Sequence, residues 1–189
     1  MIILKNNIEE VRYRYVTIEF SNKNSKITQE KMKSFLEKVI KSYYSIESVL
    51  NNEELFDLLA YNYSTNKLHF LVHATNSQEI EEFVEYIRSH YDLWFGYQME
   101  FIVCESKFVE KDMIVNASAY IHTLEKEWEL GVCSSLSSYL YDDTPVWLAS
   151  HHIKKLYGNA VDYYEYLKMY KNKEILVNLK TPLSMRLES

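Results

Sequence analysis

Glycine and proline are scarce in this chain, with only 3 Gly and 2 Pro among 189 residues. Sandwiches of many short strands need these residues at most of their tight turns, so that architecture is excluded. Disorder is excluded as well, because 47% of the residues are apolar and 15% are aromatic, enough to build a core. The composition therefore predicts a globular chain of helices with a modest sheet.

The order of apolar patterns along the chain predicts a strand, a helix, two strands, a helix, a strand and a helix. Alternating or continuous apolar runs mark the strands, and apolar residues at helical spacing mark the helices. The predicted strands span residues 11–20, 55–63, 67–74 and 99–104, and the predicted helices span 28–44, 77–91 and 113–124. This order is that of a ferredoxin-like α+β domain, an antiparallel sheet with helices packed on one face.

The sequence after residue 126 predicts a small helical appendage. Thr144 and Pro145 are typical cap and first-turn residues, and they predict a helix that ends near residue 158. Asn159 is the predicted cap of a last amphipathic helix from residue 160 to about residue 170. We therefore divide the chain into an α+β domain, residues 1–126, and a C-terminal helical appendage and tail, residues 127–189.

Cysteine content and charge bear on location and partners. Two cysteines, Cys104 and Cys133, together with the lack of any apolar stretch of membrane-spanning length, predict a soluble protein of the reducing cytosol with no membrane partner. The formal net charge of −6 disfavours a general nucleic-acid binder, because Lys and Arg contacts to phosphate supply most non-specific affinity.

Several segments in chain order resemble the motifs of one family. Residues 58–73 resemble its signature strand, in which Asn-His-x-His precedes an apolar run. Residues 120–122 resemble its Tyr-Ile-His element, and residues 137–148, 156–158 and 163–167 resemble its C-terminal region. The chain thus resembles the single-tyrosine HUH transposases, especially the REP-associated tyrosine transposases and related insertion-sequence transposases.

The resemblance implies a dimer in which strand histidines hold a divalent metal ion against a scissile DNA phosphate while a helix tyrosine attacks it. Tyr120 is then the candidate nucleophile, and His69 is the one histidine left of the expected pair. Lys67 stands at the first ligand position, and Leu124 stands at the third, one helical turn after the tyrosine. Since two of three ligands are missing, we expect no cofactor, and Mg or Mn only if the site is still active.

The other histidines are poor replacements for the missing ligands. His73 lies on the same strand face as His69 but roughly 13 Å away at strand rise, and is expected to be hydrogen-bonded or solvent-facing. His122 is two positions from Tyr120 on a helix and points about 200° away from it. The histidine pair at 151–152 lies next to Lys154 and Lys155 and predicts a solvated helix face in preference to a metal or DNA contact.

The leading hypothesis is a transposase-derived protein that has lost DNA cleavage and still binds single-stranded or hairpin DNA. The resemblance implies that Lys67 and His69 face Tyr120, and strand alternation then puts Leu68 and Phe70 on the opposite face. Near the place of the lost metal, the Lys67 ammonium could pair with a phosphate as a fixed positive charge.

Two other hypotheses remain. A dimeric protein-interaction or regulatory module that reuses the scaffold without nucleic acid fits the negative charge and the acidic second helix, which carries Glu79, Glu81, Glu82 and Glu85. A still active nuclease would need His69 to work with an acidic residue that the sequence does not reveal. The sequence patterns do not themselves demand a dimer, which is expected from the resemblance.

Overall fold

The computed structural model describes residues 12–21, 27–50, 56–74, 77–96, 100–141 and 143–177. All the predicted strands and the three predicted helices before residue 126 are present. The strands are β1 (Arg12–Ser21), β2 (Asp57–Tyr63), β3 (Lys67–Ala74) and β4 (Glu100–Val109). The α-helices are α1 (Gln29–Leu50), α2 (Ser77–Phe95), α3 (Ile114–His122), α4 (Leu136–Leu140), α5 (His151–Lys154) and α6 (Ala160–Val177). No helix in these ranges has the length and apolar character needed to cross a membrane.

The strands form one sheet in the order β2-β3-β1-β4, and every neighbouring pair is antiparallel. A short polar connection at 64–66 joins β2 to β3, as the sequence predicted. The register of this hairpin places Asn62 opposite His69 and Asp57 opposite His73. The hairpin therefore determines which polar side chains of β2 meet the histidines of β3.

The helices α1 and α2 cover one face of the sheet. Side chains alternate between the faces of a strand, so Val16 of β1 and Leu68 and Phe70 of β3 point to this face together. They pack against the apolar stripes of the two helices, formed by Met32, Phe35, Leu36, Val39, Ile40 and Tyr43 of α1 and by Ile80, Phe83, Val84, Ile87 and Tyr91 of α2. This is the larger of the two cores in the described residues.

The opposite face is covered by α3 and by C-terminal helices, so the prediction of helices on one face is wrong. Tyr15, Leu59 and Leu71 point to this second face and share a core with α3 and with Tyr163 of α6. The cause lies in β2, where every residue after Asp57 is buried. A strand that is apolar on both sides needs a packed layer on each of them.

The first helix predicted after residue 126 also differs from the structure. Thr144 does not cap a helix, because its hydroxyl donates to the carbonyl oxygen of Ser138 at 3.0 Å. The chain then runs beside the edge strand β2, where Leu148 forms a parallel bridge with Leu58. This segment thus pairs with the backbone of the edge strand instead of forming a helix, and α5 begins only at His151.

The last helix agrees with the sequence at its start. The side-chain oxygen of Asn159 accepts the backbone N–H groups of Val161 and Asp162 at 2.9 and 3.0 Å, which confirms the predicted cap. The helix continues to Val177, beyond its predicted end. The rest of the predicted tail, 178–189, lies outside the described residues, and the division of the chain at residue 126 stays a prediction.

Candidate functional site

Alternation along β3 puts Lys67 and His69 on the face opposite to Leu68 and Phe70. Leu68 and Phe70 are buried under α1 and α2, as predicted. The imidazole of His69 is hydrogen-bonded to Tyr15, which belongs to the core on the opposite face. Lys67 is two residues from His69, so it lies on the same side of the strand. Both polar residues therefore lie on the side of the sheet that α3 covers.

The His69 side chain is engaged and buried, with 9% of the residue exposed. A hydrogen bond of 2.5 Å joins its Nδ1 to the Tyr15 hydroxyl, and the two rings stack with centroids 5.9 Å apart. Burial, assisted by the positive charge of Lys67 and opposed by Glu19, lowers the pKa of His69 to about 4. The imidazole is therefore neutral at pH 7, and one of its nitrogens already has a partner.

Lys67 forms an ion pair with Glu19, the residue opposite it on β1. Both side chains are partly exposed, at 36% and 46%. A protonated amine has three N–H donors and no lone pair, so it cannot bind a metal ion. The structure thus places an ammonium and its carboxylate partner where the resembled strand pattern has a metal ligand.

Tyr120 of α3 is half-buried and packs against the core on the second face of the sheet. Its ring meets the ring of Tyr15 edge-on, with centroids 5.8 Å apart. Tyr15 therefore contacts both Tyr120 and His69. Leu124, just after α3, is half-buried and offers no ligand atom. Of the three ligand positions expected from the resemblance, only the one at His69 carries an atom able to bind a metal.

His122 points away from Tyr120, as helical geometry predicted. It is fully buried, and its two ring nitrogens lie 2.7 Å from the Tyr163 hydroxyl and 2.9 Å from the Ser135 hydroxyl. Burial lowers the pKa of His122 to about 3. A neutral imidazole between two hydroxyl groups joins α3 to α6 and to the segment before α4. His122 is thus a structural part of the second core.

A cavity of about 320 Å³ opens beside this core, between β2 and the segment after α3. Asn62 and His122 line its inner wall, and Glu125, Lys126 and Glu127 lie at its rim. The hydrogen bonds of His122 to neighbouring hydroxyls occupy the one imidazole in the wall. Two carboxylates against one ammonium give the rim a charge that does not favour phosphate.

A second polar cluster lies at the other end of β3. His73 is opposite Asp57 on β2, and the Nδ1 of His73 lies 3.4 Å from the Oδ2 of Asp57. His152 of α5 approaches the same carboxylate oxygen, with its Nε2 at 3.0 Å. The expectation of a solvated face at 151–152 holds for the exposed His151 and is wrong for His152. Sequence reasoning missed this cluster, although the hairpin pairing could have indicated the Asp57 and His73 half.

The fold was compared with solved structures, and one match is a REP-associated tyrosine transposase bound to a REP hairpin. The TM-score is 0.54 at 12% sequence identity, and the match covers 79% of this chain and 92% of that chain. No family model and no curated protein matches the sequence. The chain therefore has a mixed α+β, transposase-like fold. At this level of identity, the similarity extends to the fold alone.

Proposed function

We propose that this protein binds nucleic-acid hairpins on a transposase-like scaffold and does not cleave them. The observation that carries the proposal is the similarity of the fold to a transposase whose structure contains a REP hairpin, over 92% of that chain. The strand order β2-β3-β1-β4 supports a ferredoxin-like arrangement of the sheet. We also propose that the protein is cytoplasmic, on the ground of its low cysteine content. The family resemblance further implies that it acts as a homodimer.

The proposed lack of cleavage rests on the chemistry of the three ligand positions. Lys67 carries a protonated amine bound to Glu19, and Leu124 carries no donor atom. A metal ion held by His69 alone would lack most of the protein ligands that position it against a phosphate. Tyr120 then packs against Tyr15 without a Lewis acid beside it, so we propose no metal cofactor at this position.

Hairpin binding is supported by the partly exposed ammonium of Lys67. Glu19, its partner, is also partly exposed, and a phosphate oxygen could replace the carboxylate in a charge-assisted hydrogen bond. Such a contact adds affinity without chemistry and is weakened by salt.

Fluorescence anisotropy with a labelled single-stranded DNA hairpin, and with an unstructured strand of equal length, tests the proposal. We expect micromolar binding of the hairpin that weakens from about 50 to about 200 mM salt. Lys67→Met should lower the salt slope by about 1, as for one lost phosphate contact. Lys41→Met, an exposed lysine on α1 across the sheet, is the matched control and should leave the slope unchanged.

No salt-sensitive binding by folded protein at micromolar concentration would refute hairpin recognition. An equal loss of slope in both lysine variants would refute the role of Lys67. Incubation of the hairpin with the protein and Mn²⁺ should give no nicked product. Nicking that disappears in Tyr120→Phe would instead establish an active nuclease.

One observation favours a second candidate function, a protein-interaction module. The exposed side of α2 carries Glu81, Glu82 and Glu85, and its last turn leaves Leu93 81% and Trp94 45% exposed. An acidic surface next to exposed apolar residues suits a basic protein partner better than DNA. The anisotropy assay separates the two candidates, because this module would not bind the hairpin at either salt concentration.

A further inference from the structure

Asp57, His73 and His152 bring three metal-binding atoms together on the second face of the sheet. The Oδ2 of Asp57 lies 3.4 Å from the Nδ1 of His73 and 3.0 Å from the Nε2 of His152. All three atoms lie within 4.8 Å of one another. Their side chains are 39%, 23% and 18% exposed, so water can reach the cluster from one side.

Two sets of backbone hydrogen bonds hold this cluster in place. The β2–β3 register pairs Asp57 with His73 directly. The backbone N–H of Ala149 donates to the carbonyl oxygen of Leu58 at 2.8 Å, which fixes the segment leading to His152 against β2. The three residues therefore meet through regular hydrogen bonding of the chain and not through side-chain contacts alone.

Tyr44 of α1 fixes the peptide groups on either side of Asp57. Its hydroxyl donates to the carbonyl oxygen of Phe56 at 2.8 Å and accepts the N–H of Leu58 at 3.1 Å. On the other side of the cluster, the ring of Tyr13 stacks on His73 with centroids 4.5 Å apart. Both contacts restrict the directions in which the ligand atoms can point.

The two separations from the Asp57 oxygen are of the size found around one small cation. Ligand atoms about 2.0–2.2 Å from a common ion lie about 2.8–3.1 Å from one another at the right angles of octahedral geometry and about 3.3–3.6 Å in tetrahedral geometry. The 3.0 Å separation from His152 falls in the first interval and the 3.4 Å separation from His73 falls in the second. Two imidazole nitrogens and one carboxylate oxygen favour a divalent transition metal over Mg²⁺ or Ca²⁺, which prefer oxygen ligands.

The chemistry of the three side chains also suits a cation. Each neutral imidazole has a ring nitrogen whose lone pair can bind it. The carboxylate of Asp57 supplies the negative charge that such a cation needs.

We propose that Asp57, His73 and His152 form a binding site for a divalent transition-metal ion of the Zn²⁺ type, with water in the remaining coordination positions. His73 is four residues beyond His69 on β3, roughly 13 Å at strand rise, so this site is separate from the Lys67 and His69 group. The proposal does not depend on hairpin binding.

Titration of tag-free protein with Co²⁺, followed by visible absorption and by competition with Zn²⁺, tests the site. We expect one Co²⁺ per chain, displaced by one Zn²⁺. Asp57→Asn and His152→Ala should each weaken binding by at least about 100-fold, since loss of a ligand exceeds the effect of losing an outer-shell partner. His90→Ala is the matched control, because His90 lies on α2, which packs on the other face of the sheet, and it should bind like the wild type.

Thermal denaturation with and without Zn²⁺ gives an independent measurement and shows that each variant folds. Zn²⁺ should raise the Tm of the wild type and of His90→Ala, because ligand binding stabilises the folded state. It should leave the Tm of folded Asp57→Asn and His152→Ala unchanged. No saturable Co²⁺ binding by the wild type, or equal binding in His152→Ala, would overturn the proposal whatever the outcome of the hairpin assay.

Discussion

The two ends of β3 carry one histidine each on the same side of the sheet, and their surroundings differ. At one end His69 is buried beside an ammonium, and its Nδ1 is bound to the hydroxyl of Tyr15. At the other end His73 is partly exposed beside the carboxylate of Asp57 and a second imidazole, that of His152. Position on the strand is thus not enough to make a histidine a metal ligand, because the charge of the neighbouring side chains determines whether a cation can bind there.

The difference between the two histidines arises in β2, one of the two strands that pair with β3. On β1 both histidines meet an aromatic ring, Tyr15 at His69 and Tyr13 at His73. On β2 an amide, Asn62, is opposite His69, whereas a carboxylate, Asp57, is opposite His73. A neutral amide supplies no charge to hold a cation, and the carboxylate does.

The largest effect is expected from introducing metal ligands at the His69 end of β3, which would remove its difference from the His73 end. Lys67→His together with Leu124→Asn adds two ligands to His69, so we expect manganese to bind at least about 100-fold more tightly than to the unaltered site. Lys67→His alone should not suffice, because one protein ligand is still missing. Isothermal titration calorimetry measures the affinities.

The calorimetric comparison needs a background without the second cluster. All the proteins should therefore also carry His152→Ala, which removes a ligand of the proposed site at Asp57. Strong manganese binding by the His152→Ala protein with Lys67 and Leu124 intact would contradict the view that the His69 site has decayed.

Acid should destabilise the protein through the buried histidines. In the unfolded chain a histidine gains its proton as the pH falls below 6.5, whereas folded His69 and His122 have pKa values lowered to about 4 and about 3. The unfolded state then binds more protons than the folded state. The contribution of the two histidines to the free energy of unfolding is therefore fully present above pH 6.5, and it is lost as the pH falls toward their folded-state pKa values. From about pH 7 to about pH 4.5 each group should contribute a loss of about 2–3 kcal/mol.

Urea denaturation at the two pH values measures this loss. His69→Gln should reduce the pH dependence by the share of one histidine, because glutamine does not titrate. An unchanged pH dependence in that variant would show that His69 can accept a proton in the folded state, as an open site would.

The smallest expected effect compares the two tyrosines that stack on the histidines. Tyr15→Phe removes the partner of buried His69 and should lower the free energy of unfolding by about 1–3 kcal/mol. Tyr13→Phe keeps the stacked ring on the more exposed His73 and should change it by less than about 0.5 kcal/mol. Chemical denaturation at pH 7 measures both values. Equal losses of unfolding free energy in the two variants would contradict the view that the His69 end of β3 is more buried than the His73 end.

Local patterns predicted the elements that local physics controls. Alternation of polar and apolar side chains placed β3 at 67–74 and separated Lys67 and His69 from Leu68 and Phe70. The cap at Asn159 was correct for the same reason, since its partners are two and three residues away. In both cases the residues that decide the structure are close neighbours in the sequence.

The errors concern contacts between distant segments. A layer on the second face follows from the apolar run of β2, but the layer comes from α3 and α6, and Thr144 bonds to Ser138 instead of capping a helix. His152 reaches Asp57 because the backbone at Leu148 bridges to Leu58. No periodicity near His152 indicates this contact, so the third residue of the cluster was out of reach of sequence reasoning.

Because the bridge between Leu58 and Leu148 joins distant parts of the sequence, the cluster of Asp57, His73 and His152 is completed late in the synthesis of the chain. Asp57 and His73 belong to one hairpin, and hairpins of this kind form in about 1–10 μs. His152 follows His73 by 79 positions in the chain, which a ribosome needs roughly 4–16 s to translate. A nascent chain therefore presents a two-ligand hairpin for seconds before the third imidazole is made, and the complete cluster is a property of the finished C-terminal half.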